Sequence, residues 1–324
     1  MGRRYGAAAL AAGALLLAAG CGAADGGERS AAPPSGAQAS SAAPPRVAGP
    51  YAALGDSYTS GLGVPPRGGS PAGCGRSEVN YPALVAQGLG IAPAAFTDVS
   101  CSDARTADLA AAQRTADGTN PPQLDALGAD TRLVTLGIGG NDAGFMDVVA
   151  RCVRENLRPA ADASAAPCRA AYAADGGAGP DGVQRAIGTA GDGVVAALTE
   201  IRRRAPRAAV YVVGYPELLP ADPAGCAEAV GGVMAAGDLR FLREKHQQLN
   251  AVLRDRAAAA GAVFVDTAAA SAGHDMCAGA AVRWIEPVRP AAGAAALHPN
   301  ARGESGMAAA VLAAVRSAGA AGQP

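Results

Sequence analysis

The chain is poor in histidine: its 324 residues carry three, His246, His274 and His298. Any imidazole base must be one of them. Aromatic residues are scarce at 4%, and the 50% hydrophobic content is dominated by alanine, which carries little functional signal. The net charge is −1 and no long basic cluster occurs, so no nucleic-acid partner is expected. Arg202-Arg203-Arg204 reads as the solvated end of a helix. The seven cysteines are widely spread without any Cys-x-x-Cys, so no metal site is expected. The apolar run Ala7–Gly20 behind Arg3 and Arg4 suits a signal peptide better than a stable membrane span.

What is present centres on Tyr51-Ala52-Ala53-Leu54-Gly55-Asp56-Ser57-Tyr58-Thr59-Ser60-Gly61. A short apolar run ending in Gly, Asp, Ser and Thr reads as a buried strand entering a tight turn. Ser57 then sits at the carboxyl end of that strand, where ligands bind in open parallel sheets. A serine there can be a nucleophile, a phosphate ligand or a helix N-cap. The pattern Gly55-Asp56-Ser57-Tyr58-Thr59 is not the Gly-x-Ser-x-Gly of an α/β-hydrolase, because Thr59 breaks it.

Two further motifs follow. Gly139-Gly140-Asn141-Asp142 ends a second apolar run, and His298-Pro299-Asn300 lies near the C-terminus. Gly-Asp-Ser, Gly-x-Asn-Asp and His-Pro-Asn, in that order, resemble the SGNH (GDSL) hydrolase family. The likeness runs from about Tyr51 to the end of the chain. Cys74-Gly75-Arg76-Ser77 followed by Tyr81-Pro82 is similar to the secreted actinobacterial lipase and esterase branch.

The chain divides simply. Residues 1–21 form the signal segment. Leu17-Ala18-Ala19-Gly20-Cys21 resembles a bacterial lipobox, although Ala18 stands where a large aliphatic residue is usual. Lipidation of Cys21 would anchor the protein to a membrane; plain secretion is the alternative. Residues 22–49 are rich in Ala, Pro, Ser and Gly and read as a tether. Residues 50–318 are expected to form one domain and 319–324 a short tail. Strands are expected at Tyr51–Leu54, Ala95–Val99, Arg132–Gly137, Ala208–Gly214 and Ala262–Val265. Helices are expected at Tyr81–Gly88, 181–204, Leu239–Ala260 and from about Gly303. Val183, Ile187, Val194, Val195, Leu198 and Ile201 mark the apolar face of the second helix. Residues 143–180 read as a long irregular loop that could shape a pocket, with Phe145, Met146, Val148 and Val149 as lining. Strands alternating with helices imply a parallel sheet covered on both faces. The resemblance makes this an α/β three-layer α/β/α sandwich with a five-stranded parallel sheet, flavodoxin-like in order. A flavodoxin-type cofactor domain would share that order but lack the His298 segment.

The family likeness implies an ester hydrolase without cofactor or metal, acting as a monomer on a lipid or short-chain acyl ester. Ser57 is the expected nucleophile and His298 its base. His246 reads as a solvated or helix-packing residue, and His274 lies beside a cysteine without a base role. The oxyanion hole would comprise the N–H groups of Ser57 and Asp103 and the side chain of Asn141. Gly140 and Asp142 would support that loop, with Asp142 as a brace. Two positions depart from the family pattern. Asp103 stands where glycine is usual, which positive φ tolerates for Asp better than for most residues. Ala295 stands where most members carry the aspartate that orients the base. The Ala295 carbonyl is therefore expected to accept the imidazole N–H, with Asp266 as the fallback. Setting Cys21 aside leaves six cysteines in an exported chain, which allow 15 pairings. The likeness implies Cys74–Cys101, Cys152–Cys168 and Cys226–Cys277. A non-catalytic surface lipoprotein of the same fold and an esterase for acetylated glycans are the competing readings.

Overall fold

A computed structural model describes residues 49–158, 166–176, 181–226, 228–290 and 295–321. The expected signal segment, Cys21 and the expected tether up to residue 48 lie outside the described residues. The first strand, β1 (Tyr51–Gly55), is buried along its whole length. It is followed by the short helix α1 (Ser57–Ser60), then α2 (Tyr81–Leu89), β2 (Phe96–Asp98), a small hairpin β3 (Gln113–Thr115) and β4 (Gly118–Asn120), and β5 (Leu133–Gly137). Two helices, α3 (Phe145–Asn156) and α4 (Pro167–Gly176), precede the long α5 (Gly182–Arg204). The chain closes with β6 (Ala209–Val213), α6 (Ala236–Ala259), β7 (Val263–Val265), α7 (Thr267–Ala270) and α8 (Ala301–Ala321).

Among the described residues the main sheet runs β2-β1-β5-β6-β7, and every neighbouring pair is parallel. Side chains alternate across a strand, and β1 serves two cores accordingly. Tyr51 and Ala53 face α2 and α8, where Tyr81, Val85, Met307 and Val311 pack. Ala52 and Leu54 face α5 and α6, where Ile187, Val194, Leu198, Leu249 and Leu253 pack. The result is the expected α/β/α sandwich. From β1 the chain first adds β2 on one side and then crosses over to add β5, β6 and β7 on the other, so its order reverses at β1. The carboxyl ends at that reversal form the natural crevice for a ligand.

Local signals account for several boundaries. Asn80 caps α2 by accepting the Ala83 N–H at 3.0 Å, and Gly90 ends it in the left-handed conformation. Asp181 caps α5 by accepting the Gln184 N–H at 2.8 Å. On α5 the expected apolar face is buried except at Val195, which is exposed because it turns away from α6 and the sheet. Residues 143–180 are not irregular throughout. Val148, Val149 and Cys152 bury one stripe of α3. The start of α4 is held by Asp238 from α6, which accepts the N–H groups of Cys168 and Arg169 at 3.0 Å each. That cap is supplied from far along the chain, so no local motif announces it. Helix α8 runs to Ala321, past residue 318, so the expected tail begins inside a helix. The three disulfides join Cys74–Cys101, Cys152–Cys168 and Cys226–Cys277, as the family likeness implied. No helix among the described residues is long and apolar enough to cross a membrane.

Candidate active site

The turn after β1 is built to present Ser57. A Cβ on Gly55 would lie 2.5 Å from the Gly137 carbonyl oxygen, so only glycine allows β1 and β5 to end this close together. Beyond the end of β2, the Gln123 side chain closes the edge of β1. It accepts the Gly55 N–H at 2.8 Å and donates to the Gly55 carbonyl at 2.9 Å. Asp56 caps α1 by accepting the Tyr58 N–H at 3.0 Å. Its other carboxylate oxygen accepts the Tyr215 hydroxyl at 2.6 Å, and that hydroxyl accepts the Gly140 N–H at 2.8 Å. One tyrosine after β6 thus ties the Ser57 turn to the Gly139–Asp142 turn. Burial pushes the Asp56 carboxyl up to about 7, against the hydrogen bonds from Tyr215 and Tyr58.

Ser57 Oγ lies 2.8 Å from His298 Nε2. The expected orienting atom is displaced by one residue. His298 Nδ1 meets the Ala296 carbonyl at 2.7 Å, whereas the Ala295 carbonyl accepts the backbone N–H of His298 at 3.3 Å. The loop curls because Leu297 adopts a left-handed φ of 61°, which brings the preceding carbonyl under the ring. Asp266 is not an alternative. It caps α7 through the Ala269 N–H and pairs with Arg254 at 2.5 Å. Tyr58 steadies the histidine: its hydroxyl donates to the Leu297 carbonyl and its ring lies 5.0 Å from the imidazole. Asn300 caps α8 by accepting the Gly303 N–H at 3.1 Å, which fixes the far end of the His-Pro-Asn segment. Burial lowers the His298 pKa below the usual histidine value; the Ala296 carbonyl and the Asp103 charge pull the other way.

The two remaining turns converge on the same point. Cys101 N–H donates to the Gly55 carbonyl at 3.0 Å, and Ser102 Oγ lies 3.2 Å from Ser60 Oγ. Asp103 adopts the left-handed conformation at φ 65°, as a residue in glycine's place must, and its side chain is exposed. Asn141 donates to the Ala104 carbonyl at 2.9 Å and lines the Ser57 cavity. Asp142 accepts both the N–H and the hydroxyl of Thr106, the latter at 2.6 Å, which is the brace expected of it. Phe145 and Met146 also line the cavity; Val148 belongs to the core beneath, and Val149 lines a deeper space.

His246 is not solvated: it packs between helices α6 and α3. It is buried on the wall of the Ser57 cavity, edge-on to Phe145 at 6.1 Å, and burial drops its pKa to about 4. Its Nε2 has no hydrogen-bond partner among the described residues. His274 stacks on Trp284 at 5.1 Å and engages the Val282 carbonyl at 2.7 Å, away from Ser57.

A serine, an imidazole and convergent turns at a strand-end crevice have the arrangement of an acyl-transfer site. The GDSL-like Lipase/Acylhydrolase family matches residues 53–305. The chain belongs to that family. It is accordingly a carboxylic ester hydrolase of the lipase and esterase type. It is 39% identical over 261 residues to Lipase 2 of Streptomyces coelicolor, covering 80% of this chain and 83% of the relative. It is similar in structure to phospholipase A1 from Streptomyces albidoflavus, with a TM-score of 0.65 and 32% identity over 83% of this chain and 98% of that one. The extracellular lipase of Streptomyces rimosus is similar to the same degree, with a TM-score of 0.64 and 32% identity over 83% and 99% of the two chains.

Proposed function

We propose that this esterase works through an acyl-enzyme on Ser57, with His298 as general base. The observation that carries the reading is the 2.8 Å contact between Ser57 Oγ and His298 Nε2. It is joined by the Ala296 carbonyl on Nδ1, which fixes the tautomer with its lone pair toward the serine. His298 takes the Ser57 proton as the hydroxyl attacks the ester carbonyl. The oxyanion is received by the N–H groups of Ser57 and Asp103 and by the Asn141 side chain. His298 then protonates the leaving alcohol, and water it activates releases the acid. A dyad backed by a carbonyl lacks the negative charge that a carboxylate would place beside the imidazolium. The lowered histidine pKa keeps the ring neutral and ready to accept a proton at neutral pH.

The proposed substrates are lipid or short-chain acyl esters. Phe145, Met146, Leu218, Leu249 and Leu297 give the cavity an apolar wall suited to an acyl chain. Likeness to a phospholipase A1 and to lipases supports lipid esters over acetylated glycans. We also propose export, supported by the N-terminal signal pattern, by six cysteines paired in disulfides, and by likeness to an extracellular lipase. Lipidation of Cys21 is the proposed anchor, and mass analysis of the membrane-bound protein checks it.

The test is hydrolysis of p-nitrophenyl esters of graded chain length, with labelling by a serine-directed phosphonate. The wild type is expected to cleave and to be labelled at Ser57, and Ser57→Ala to do neither. An unlabelled Ser57 in a protein that still cleaves these esters would overturn the assignment.

A further inference from the structure

The loop that carries His298 is gripped by a stretch of chain outside the three motifs. Residues 284–286 run antiparallel to residues 297–300, with Ile285 opposite Pro299. The Glu286 carbonyl accepts the Leu297 N–H at 3.0 Å, and the Glu286 N–H donates to the His298 carbonyl at 2.9 Å. The Trp284 carbonyl accepts the Asn300 N–H at 2.8 Å. One residue, Glu286, thus holds both ends of the Leu297–His298 pair.

That grip works against a strained conformation. Leu297 sits at φ 61°, where a leucine stays only if its surroundings over-determine it. The same conformation brings the Ala296 carbonyl to His298 Nδ1 at 2.7 Å. Glu286 fixes the N–H of Leu297, and the Tyr58 hydroxyl fixes its carbonyl. Release at the Glu286 end lets Leu297 relax and draws the Ala296 carbonyl off the ring.

The Glu286 side chain sets the register of this pairing. It is buried, with Oε2 paired to Arg283 at 3.0 Å and Oε1 accepting Asn300 Nδ2 at 2.9 Å. The same Nδ2 donates to the Arg283 carbonyl at 3.0 Å. Trp284 anchors the stretch from behind. Its N–H donates to the His274 carbonyl at 2.7 Å, and a Cβ on Gly306 of α8 would lie 2.1 Å from its ring.

We propose that Glu286 is the positioning residue of the histidine side: its carboxylate, through Asn300, sets the register in which its own backbone holds Leu297 and His298. The proposal rests on the Ser57–His298 reading above. A buried ion pair adds little net stability; here it supplies a fixed place for the base. Paired with Arg283, the carboxylate brings no net charge to the imidazole.

The experiment measures kcat and KM for p-nitrophenyl butyrate with the full chain, alongside the rate of phosphonate labelling and thermal melts. In Glu286→Ala, kcat falls about 10- to 100-fold with KM held, the cost of a displaced base. Labelling of Ser57 slows in step. Glu286→Gln keeps an acceptor for Asn300 and recovers most of the rate. Asn300→Ser keeps a cap for α8 but loses the reach to Glu286. It matches the loss in Glu286→Ala, and reads the same link if that variant does not fold. The double variant is no slower than either single one, because both break one link. Wild-type kcat in the single variants, with only the melting temperature lowered, would overturn the positioning role. So would losses that multiply in the double variant, or a Glu286→Gln variant as slow as Glu286→Ala. A wild type that is neither labelled nor active would overturn the catalytic reading, and this proposal with it.

Discussion

The serine side and the histidine side of the site are held by different means. Ser57 stands on a turn locked by side chains: Gln123 on Gly55, and Asp56 between the Tyr58 N–H and the Tyr215 hydroxyl. His298 stands on a loop held by the Tyr58 hydroxyl and the Asn300 side chain, with a neutral carbonyl rather than a carboxylate against Nδ1. No carboxylate backs the imidazole; the buried carboxyl of the site is Asp56, beneath the nucleophile. That carboxyl positions the turn through its hydrogen bonds with the Tyr58 N–H and the Tyr215 hydroxyl, without touching the imidazole. The proposed base is oriented by a neutral carbonyl, and the proposed nucleophile is positioned by a buried carboxyl.

The comparison is sharpest when each side loses its reacting atom. Ser57→Ala removes the attacking oxygen and abolishes turnover, read as loss of p-nitrophenyl butyrate hydrolysis. His298→Ala lowers kcat by about 10³-fold or more. A His298→Ala variant near wild-type rate would mean that a carbonyl-backed imidazole contributes nothing. Between the two sides, Asn141→Ala is expected to cost about 10²–10³ in kcat with KM little changed, its second amide hydrogen being the proposed donor to the oxyanion.

The buried lock on the serine side is tested by Tyr215→Phe. The substitution leaves the Gly140 N–H without its acceptor and removes a donor from Asp56, at a cost of about 2 kcal/mol in stability. Thermal melts check it. The same group gives a pH signature. Asp56 titrates at about 7 in the folded chain against an ordinary value of 3.8, so the folded state binds the proton more tightly. Its contribution is full below the ordinary value and is lost as pH rises toward 7. Stability is therefore expected to fall across that window, and Asp56→Asn to remove the decline. A wild-type profile flat through this range would show that the two donors keep the carboxylate charged throughout.

β1, β5 and β6 were readable because each was a short apolar run ended by glycine. The three motifs were readable because their order is distinctive. The lock was not. Gln123 and Tyr215 lie in stretches with no pattern, and only the packing of distant turns brings them to Gly55 and Asp56. Of the two readings of His246 the solvated one fails: its neighbours Lys245 and Gln247 are polar, yet the position is buried and Lys245 itself is inside, paired with Asp181 at 2.6 Å. The shift from Ala295 to Ala296 follows from the left-handed Leu297, a conformation that no leucine advertises. Helix α4 escaped notice because a cap from Asp238 and a disulfide replace local signals, whereas α3 carries its signal in the helical spacing of Phe145, Val148, Val149 and Cys152 and was hidden by the glycines and prolines around it.

The smallest effect concerns the one charge on the histidine side. Asp103 is exposed near the imidazole, and its negative charge favours the protonated ring. Burial acts in the opposite sense and prevails, so the acid limb of kcat/KM is expected below the usual histidine value. Asp103→Asn removes the attraction for the proton while leaving the backbone N–H in place. The pKa of His298 then falls further, and the acid limb moves to lower pH. The rate on the neutral plateau holds or rises, since a carboxylate beside a developing oxyanion opposes it. A shift to higher pH would mean that Asp103 acts on the ring through something other than its charge. An unmoved limb would mean that solvent screens the exposed carboxylate completely. The histidine side would then be governed by burial and the Ala296 carbonyl alone, with every effective charge confined to the side of the serine.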